Sequence, residues 1–562
     1  MSNKAHRRQY AAIEDVNRRQ SVPVVLCLFI AGTLLVPAGC EQWPEQQAYY
    51  RVIAPPEKTR RIETLELEEQ QQPAEPDEPN EPAPEELALT LEQCRAMTIE
   101  NNLALKAQLI SPAIAAQRVS EEEARFEALF FANTSLNKTD SPAVSFLDQI
   151  SGSQRDTVSS DLGVNVPLRT GGTVTFDLAD VRTKTNAQQT QFNPYYVSVG
   201  SLSISQPLLR NAGNRTNTHA IRIAEYQRQV TDARTKLELI RAIAAVDRVY
   251  WRLDAARREL EVRRQEHELA QAQLEQARRF VDAGQRAQIE IVRAEAGVAQ
   301  TLEAIIIAEN NLRDRERELK RVINKSNLPM RGPTVIIPGT KPDPLRYALD
   351  REMLVRKAMQ NRMELLELEL QLAEDISTID YMHNQTLPLV TLDYRYNVNG
   401  LGATRDNSLD LLTDKRFEDH RLGLQLQVPL GNQAARSRLL QAFYQRRQRL
   451  ATREDREALI ELEVLNAVDQ VEANWQRILA SRQRTILDGR LYQAEKRQFE
   501  VGLRTSTEVL EAQATFANAQ TAEIRALAEY QISLVDLAYA TGTLLGSARI
   551  QWEPIVPETA VD

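Results

Sequence analysis

The sequence predicts a mainly helical chain that carries membrane β-hairpins and is built by internal duplication. Three observations predict it. Arg279-Phe280-Val281-Asp282-Ala283-Gly284-Gln285-Arg286 returns as Arg497-Gln498-Phe499-Glu500-Val501-Gly502-Leu503-Arg504, with 218 residues between the two glycines. Residues 201–208 (SLSISQPL) are answered by residues 423–430 (GLQLQVPL) at an offset of 222. Glycine is scarce at 20 of 562 residues and aromatics are 6%, while Ala, Leu, Glu, Gln and Arg dominate, which is the usage of long paired helices. Two matches at nearly one offset imply two units, each running strand, long helix, glycine tip, long helix.

The N-terminus reads as an export signal. Lys4, Arg7, Arg8, Arg18 and Arg19 precede a 15-residue apolar run, residues 22–36, too short for a comfortable membrane span. It ends Pro37-Ala38-Gly39-Cys40, which resembles the lipobox of bacterial lipoproteins and implies acylation at Cys40. Pro37 departs from the usual aliphatic residue. Glu41, rather than Asp, follows the cysteine and favours sorting to the outer membrane. Without acylation the segment is an ordinary signal peptide or an uncleaved anchor. Residues 41–86 form an acidic, Pro-rich tether. Its stretch 63–86 has ten acidic residues, five prolines and no Lys or Arg, so it cannot bury apolar surface.

The first repeat spans residues 87–325. Thr90 caps a helical segment that runs to about Phe131, with Pro112 as its kink or break. A short strand is expected over 132–139. Residues 157–185 read as an added hairpin, with Thr170-Gly171-Gly172 as its turn; whether it joins a barrel is open. The strand at 197–206 slips phase near Gly200, which suggests a bulge. A helix from about Ala220 reaches the Gly284 tip, and its partner returns over 288–322. A connector, 326–349, leads to the second repeat, 350–545. There Asp350 opens a helical segment to about His383. Strands follow at 390–399 and 421–428, separated by a polar loop. Helices at 434–500 and 506–540 flank the Gly502 tip, and a tail spans 546–562. Leu465, Val468, Val471, Trp475 and Ile478 mark a packing seam on the long helix. A helix of about 65 residues is about 95 Å long at about 1.5 Å per residue.

In both strands of the second repeat apolar and polar residues alternate. Val390, Leu392, Tyr394, Tyr396 and Val398 share one face, as do Leu422, Leu424, Leu426 and Val428. Each run is close to the ~9–11 residues of a tilted membrane strand. Backbone groups left open in a bilayer cost several kcal/mol each, so such a sheet must close. Closed membrane barrels have at least ~8 strands, and four to six per chain therefore require several chains. The expectation is an oligomeric tube with one end in a membrane.

The duplicated plan, Ser205-Gln206-Pro207-Leu208-Leu209-Arg210 after a strand, residues 499–510 (FEVGLRTSTEVL) and residues 539–544 (YATGTL) resemble the outer membrane factor (TolC) family over residues 87–545. The resemblance implies a homotrimer whose transmembrane β-barrel continues as a long periplasmic α-barrel. It implies a passive exit duct for efflux or type I secretion. Its partners would be outer-membrane lipid, a periplasmic adaptor (membrane fusion) protein and an inner-membrane transporter. It carries adaptor docking to the tips, at Gly284, Arg286, Val501, Gly502, Leu503 and Arg504. It carries the periplasmic gate to Arg504, Glu508 and Glu511, at i, i+4 and i+7 on one helix face. Well-known members have Asp at the two acidic positions. Three copies would gather six carboxylates into a cation-favouring ring.

No nucleophile elbow, phosphate loop or Cys–His signature appears, the five histidines are scattered, and no two cysteines are spaced as a metal pair. The expectation is no enzyme, no cofactor and no metal. A net charge of −9 gives no reason to expect nucleic acid. The competing reading is a lipid-tethered periplasmic coiled-coil scaffold or adaptor without a pore.

Overall fold

The computed structural model describes residues 86–142, 150 and 152–553. Cys40, the export segment and all of the tether but Glu86 lie outside the described residues, as do residues 554–562 of the tail. Strand β1 (Glu86–Leu89) leads through Thr90 to helix α1 (Leu91–Asn101). Thr90 and Gln93 form a capping box, which satisfies two open donors at this helix start. Helix α2 (Leu103–Glu123) follows after one extended residue, Asn102. The break therefore lies at Asn102 and not at Pro112, which sits inside α2. Asn102 accepts from the Leu105 N–H at 3.0 Å and donates to the Val322 carbonyl at 3.0 Å. One side chain thus caps the new helix and ties it to another, which a proline cannot do. Helical structure stops at Phe126, short of the expected residue 131.

Strands β2 (Leu129–Asp140), β3 (Gln154–Pro167), β4 (Thr173–Thr185) and β5 (Tyr195–Pro207) come next. Helix α3 (His219–Asp282) runs to the first tip and α4 (Ile289–Ile323) returns. Strand β6 (Val335–Pro338) pairs in parallel with β1. The second half has a similar order of elements, with a short helix where the first has the hairpin β3–β4. Helices α5 (Arg351–Asn361), capped by Asp350, and α6 (Met363–Asn384) again break at one extended residue, Arg362. Strand β7 (Leu389–Gly402), helix α7 (Arg405–Thr413) and strand β8 (Glu418–Gln427) follow. Helix α8 (Gln433–Glu500) reaches the second tip and α9 (Ser506–Ala540) returns.

The large sheet has six strands in the order β2-β3-β4-β5-β7-β8, every pair antiparallel. The added hairpin is thus part of the sheet. The expected bulge at Gly200 is absent: β5 keeps one register with β4 and with β7 along its length. The phase change has another cause. Leu202 and Ile204 lie on the apolar face, but at Ser198 that same face is covered by α7. Ser408 of α7 donates to the Ser198 hydroxyl at 3.0 Å, and both residues are fully buried. A Cβ at Gly400 would stand 1.9 Å from the Ser408 carbonyl oxygen, so glycine is what lets this helix lie on the strand. The polar loop between β7 and β8 therefore contains a seated helix.

Three cores hold the helices, one of them built from Leu105, Ile240, Ile243 and Val535 where α2, α3 and α9 meet. Cys94, Val246, Tyr250, Leu253, Leu319 and Ile336 join α1, α3, α4 and β6. Val464, Val468, Val471 and Ile478 of α8 pack on Tyr530 and neighbours of α9. The seam runs through Val464 and the buried Asn474, while Leu465 is only half-buried on its flank. Arg95 of α1 is bidentate to Asp247 of α3, at 2.8 and 2.7 Å, and the Asp247 side chain has no exposure. Burial still holds the Asp247 carboxyl above its ordinary value, against the pull of Arg95.

Arg95→Met should destabilise by about 3 kcal/mol, because it strands a buried carboxyl. Asp247→Asn should cost less, since Arg95 reaches solvent. A carboxyl whose folded pKa is raised loses stability as pH rises through that pKa, so the Arg95→Met deficit should be larger at neutral than at acid pH. Thermal melts of the detergent-purified protein at neutral and acid pH check both.

Candidate functional site

Both long helix pairs reverse at a glycine with positive φ, Gly284 at +70° and Gly502 at +85°. Space does not demand glycine there, since a Cβ on Gly284 would meet nothing within 4 Å. The backbone conformation does. The hydrogen bonds repeat as well. Gly284 N–H donates to the Val281 carbonyl and Gln285 N–H to the Phe280 carbonyl, at 2.9 and 2.8 Å; Gly502 and Leu503 do the same to Phe499 and Gln498, at 3.0 and 2.9 Å. This is a Schellman ending, which closes a helix with a left-handed residue.

The two tips interlock. Arg286 of the first donates to the carbonyls of Phe499 and Arg504 in the second, at 3.3 and 3.0 Å. Its guanidinium lies 5.2 Å from the centre of the Phe499 ring. Glu290 accepts from the Ser506 N–H at 2.9 Å and from Arg293 at 2.7 Å. A cation thus meets carbonyls at the C-terminal end of α8, and an anion meets the N-terminal end of α9. Both placements match the helix dipoles. Glu290 and Ser506 are buried. Burial raises the Glu290 pKa, but the donors Ser506 and Arg293 outweigh it, and the carboxyl ends below its ordinary value.

Of the three residues expected to form a gate, the structure joins two. Arg504 donates to Glu508 at 2.6 Å and to Gln498 at 2.9 Å, and pairs with Glu495 at 3.1 Å. Glu508 also accepts from the Thr505 N–H at 2.7 Å, capping its own helix. The Thr505 amide first, and Arg504 after it, hold the Glu508 carboxyl below its usual range. Glu511 is exposed and stands apart from this pair. Val501 and Leu503 are 71% and 77% exposed, large apolar side chains at the extreme end of the second turn. Sequence reasoning paired Arg286 with Glu290 as a motif but missed their cross-tip role. The signal was a carboxylate six residues after each glycine; its partner, the Ser506 amide, is 216 residues away. Among the described residues no group of three or more His, Cys, Asp or Glu is placed to hold a metal ion.

Known proteins share this plan. The family model described as outer membrane efflux protein matches residues 173–325 and 354–543. Outer membrane protein TolC of Vibrio cholerae serotype O1 is 25% identical over 315 residues, which cover 54% of this chain and 68% of that protein. The Campylobacter jejuni CmeC outer membrane channel superposes with a TM-score of 0.59 at 13% identity, over 81% of this chain and 86% of its own. The open state of the Neisseria gonorrhoeae MtrE outer membrane channel gives 0.58 at 14%, over 81% and 89%. CusC gives 0.60 at 12%, over 80% and 92%. These structural likenesses are of fold; the family match extends to sequence over more than half of the chain. The chain belongs to the outer membrane efflux protein family.

Proposed function

We propose that this chain is the outer-membrane exit duct of a tripartite efflux pump or type I secretion system. It acts as a homotrimer, a β-barrel continued by a periplasmic α-barrel, whose duplicated halves contribute two helix pairs per copy. It is a passive conduit. One observation carries the reading: a single chain joins a sheet with one apolar face to helices of 64 and 68 residues that end in latched tips. The membrane wall and the closing device are parts of one body. A scaffold without a pore would have no use for the exposed row Leu422, Leu424 and Leu426. Acylation at Cys40 would add a lipid anchor. Planar-bilayer recording of the purified protein tests the duct; discrete conductance supports it and a water-soluble, non-conducting protein removes it.

In this reading the tips do two jobs. The links from Arg286 and Glu290 hold the helix pairs of one copy together and keep the periplasmic end narrow. Arg504 and Glu508 stiffen the second turn, leaving Glu511 to set ion preference. Arg286→Ala or Glu290→Ala removes a charge-assisted hydrogen bond worth about 1.5 kcal/mol, or roughly tenfold in the closed-to-open ratio per copy, and should raise leak conductance. Glu511→Ala should weaken cation preference with little change in leak; selectivity unchanged in Glu511→Ala would sink that assignment.

Acid should open the latch. Glu290 and Glu508 have folded values below their ordinary 4.5, so their contribution is full above that value and is lost as pH falls through the lowered ones. Leak should stay low from neutral pH down to about 4.5 and rise only below it. Conductance against pH reads this directly.

The exposed tip residues Val501 and Leu503, with Gly284, Arg286, Gly502 and Arg504 beside them, form the surface offered to a periplasmic adaptor protein, which would link the duct to an inner-membrane transporter. Leu503→Asp should abolish export and co-purification of the adaptor while leaving bilayer conductance unchanged, which separates docking from gating.

A further inference from the structure

The repeat offset is not constant. The helix caps Thr90 and Asp350 stand 260 residues apart, as do the breaks Asn102 and Arg362. Past the sheet, Pro207 and Pro429 stand 222 apart. The first half therefore holds extra chain between β2 and β5, and that chain is the hairpin β3–β4. Duplication alone gives two strands per half. The insertion raises the sheet to six.

The hairpin is wall and not appendage. Both of its strands pair on both sides, β3 with β2 and β4, and β4 with β3 and β5. Its side chains continue the rows of its neighbours. Phe130, Val164, Phe176, Leu202 and Tyr396 lie side by side across five strands, an unbroken apolar row. On the other face Asn165, Thr175, Ser203 and Arg395 make a polar row. Hydrogen bonds tie it together, with Ser201 donating to Asp177 at 2.6 Å and Ser135 and Ser159 paired at 2.6 Å. The Thr170 hydroxyl at the hairpin's turn donates to Gln206 at 2.9 Å, and the Thr170 carbonyl accepts from Gly213 N–H at 3.0 Å, where the sheet passes into α3.

Among the described residues, only β2 and β8 have an unpaired edge in this sheet. With an even number of alternating strands they run in opposite directions. The β8 of one copy therefore meets the β2 of the next as an antiparallel pair, and each junction is equivalent around a ring. We infer that the occupant of both edges is a second copy of this chain, and that three copies close an eighteen-stranded barrel rather than the twelve-stranded one the duplication alone would build. This rests on the trimeric reading above. Strands about 4.8 Å apart and tilted by about 40° give eighteen strands a backbone diameter of about 36 Å, against about 24 Å for twelve. Eighteen strands is the range in which barrels enclose an open aqueous channel. The outer-membrane end is then a wide polar mouth, and the latched helical tips alone limit what passes.

Electron cryomicroscopy of the unmodified full-length chain in lipid nanodiscs, with its mass measured in parallel, counts the strands. A trimer with eighteen strands is expected, its barrel about one and a half times as wide as a twelve-stranded one. Cysteine pairs give a second reading by oxidation: Ser135→Cys with Ser159→Cys, and Asp177→Cys with Ser201→Cys, should each close a disulfide within one chain. A trimer with twelve strands, in which Ser135→Cys pairs instead with a cysteine in β5, would overturn the wide barrel and leave the trimer standing. A monomer or dimer would overturn the trimeric reading and the barrel with it.

Discussion

Backbone amides and carbonyls cannot be left open in hydrocarbon, and the rest of this architecture follows from that constraint. A six-stranded sheet with one apolar face has two raw edges and no means to seal them within the chain. In the proposed trimer the edges pair with further copies of the chain. Once they do, the helices leaving β5 and β8 are fixed at intervals around a ring. The long helices are then spaced by the sheet, and their tips converge because the helices are paired. In that reading, closure at the membrane end is what makes a gate at the far end possible.

The breaks at Asn102 and Arg362 serve the same geometry. Each lets two short helices run on from one another beside a long one, so a bundle can continue where a single helix would diverge. Asn102 does this with two hydrogen bonds. Arg362 does it with ion pairs to Glu364 and Glu463, at 2.9 and 2.8 Å, and with its guanidinium 5.6 Å from the centre of the Tyr539 ring. The two halves reach one shape with different chemistry.

The helices were nearly all legible in the sequence, because their ends are local. Gly284, Gly502 and Ser506 mark stops and starts that any chain must respect, and α3, α4, α8 and α9 begin and end within a residue or so of the expected places. Pro112 misled, since proline's missing donor is tolerable in a helix already tied down elsewhere, while Asn102 gave no strong local signal. Strand pairing was less legible. Whether residues 157–185 joined the sheet depended on partners in β2 and β5 that periodicity does not name. The phase slip at Gly200 was real, but its cause was a helix more than 200 residues away, seated by Ser408. The cross-tip contacts were hidden for the same reason, and more deeply: Arg286 and Glu290 bind backbone groups, which leave no trace in a sequence.

That choice of partner bears on how the two halves differ. A latch built between two side chains can be lost by changing either one. Here the hydrogen-bond partners in the second half are the carbonyls of Phe499 and Arg504 and the amide of Ser506, backbone groups that nearly every residue type supplies, with the Phe499 ring as the one side-chain contact of Arg286. Its own Arg and Glu at the equivalent places are therefore free for other work. Arg504 and Glu508 turn inward within their own tip, one bracing Glu495 and Gln498 of α8 and the other capping α9. The two similar motifs do different work: the first reaches across, and the second stiffens the end that is grasped. A rigid helix end is the better target for a pair of charges, because the dipole they read exists only while the last turn stays wound.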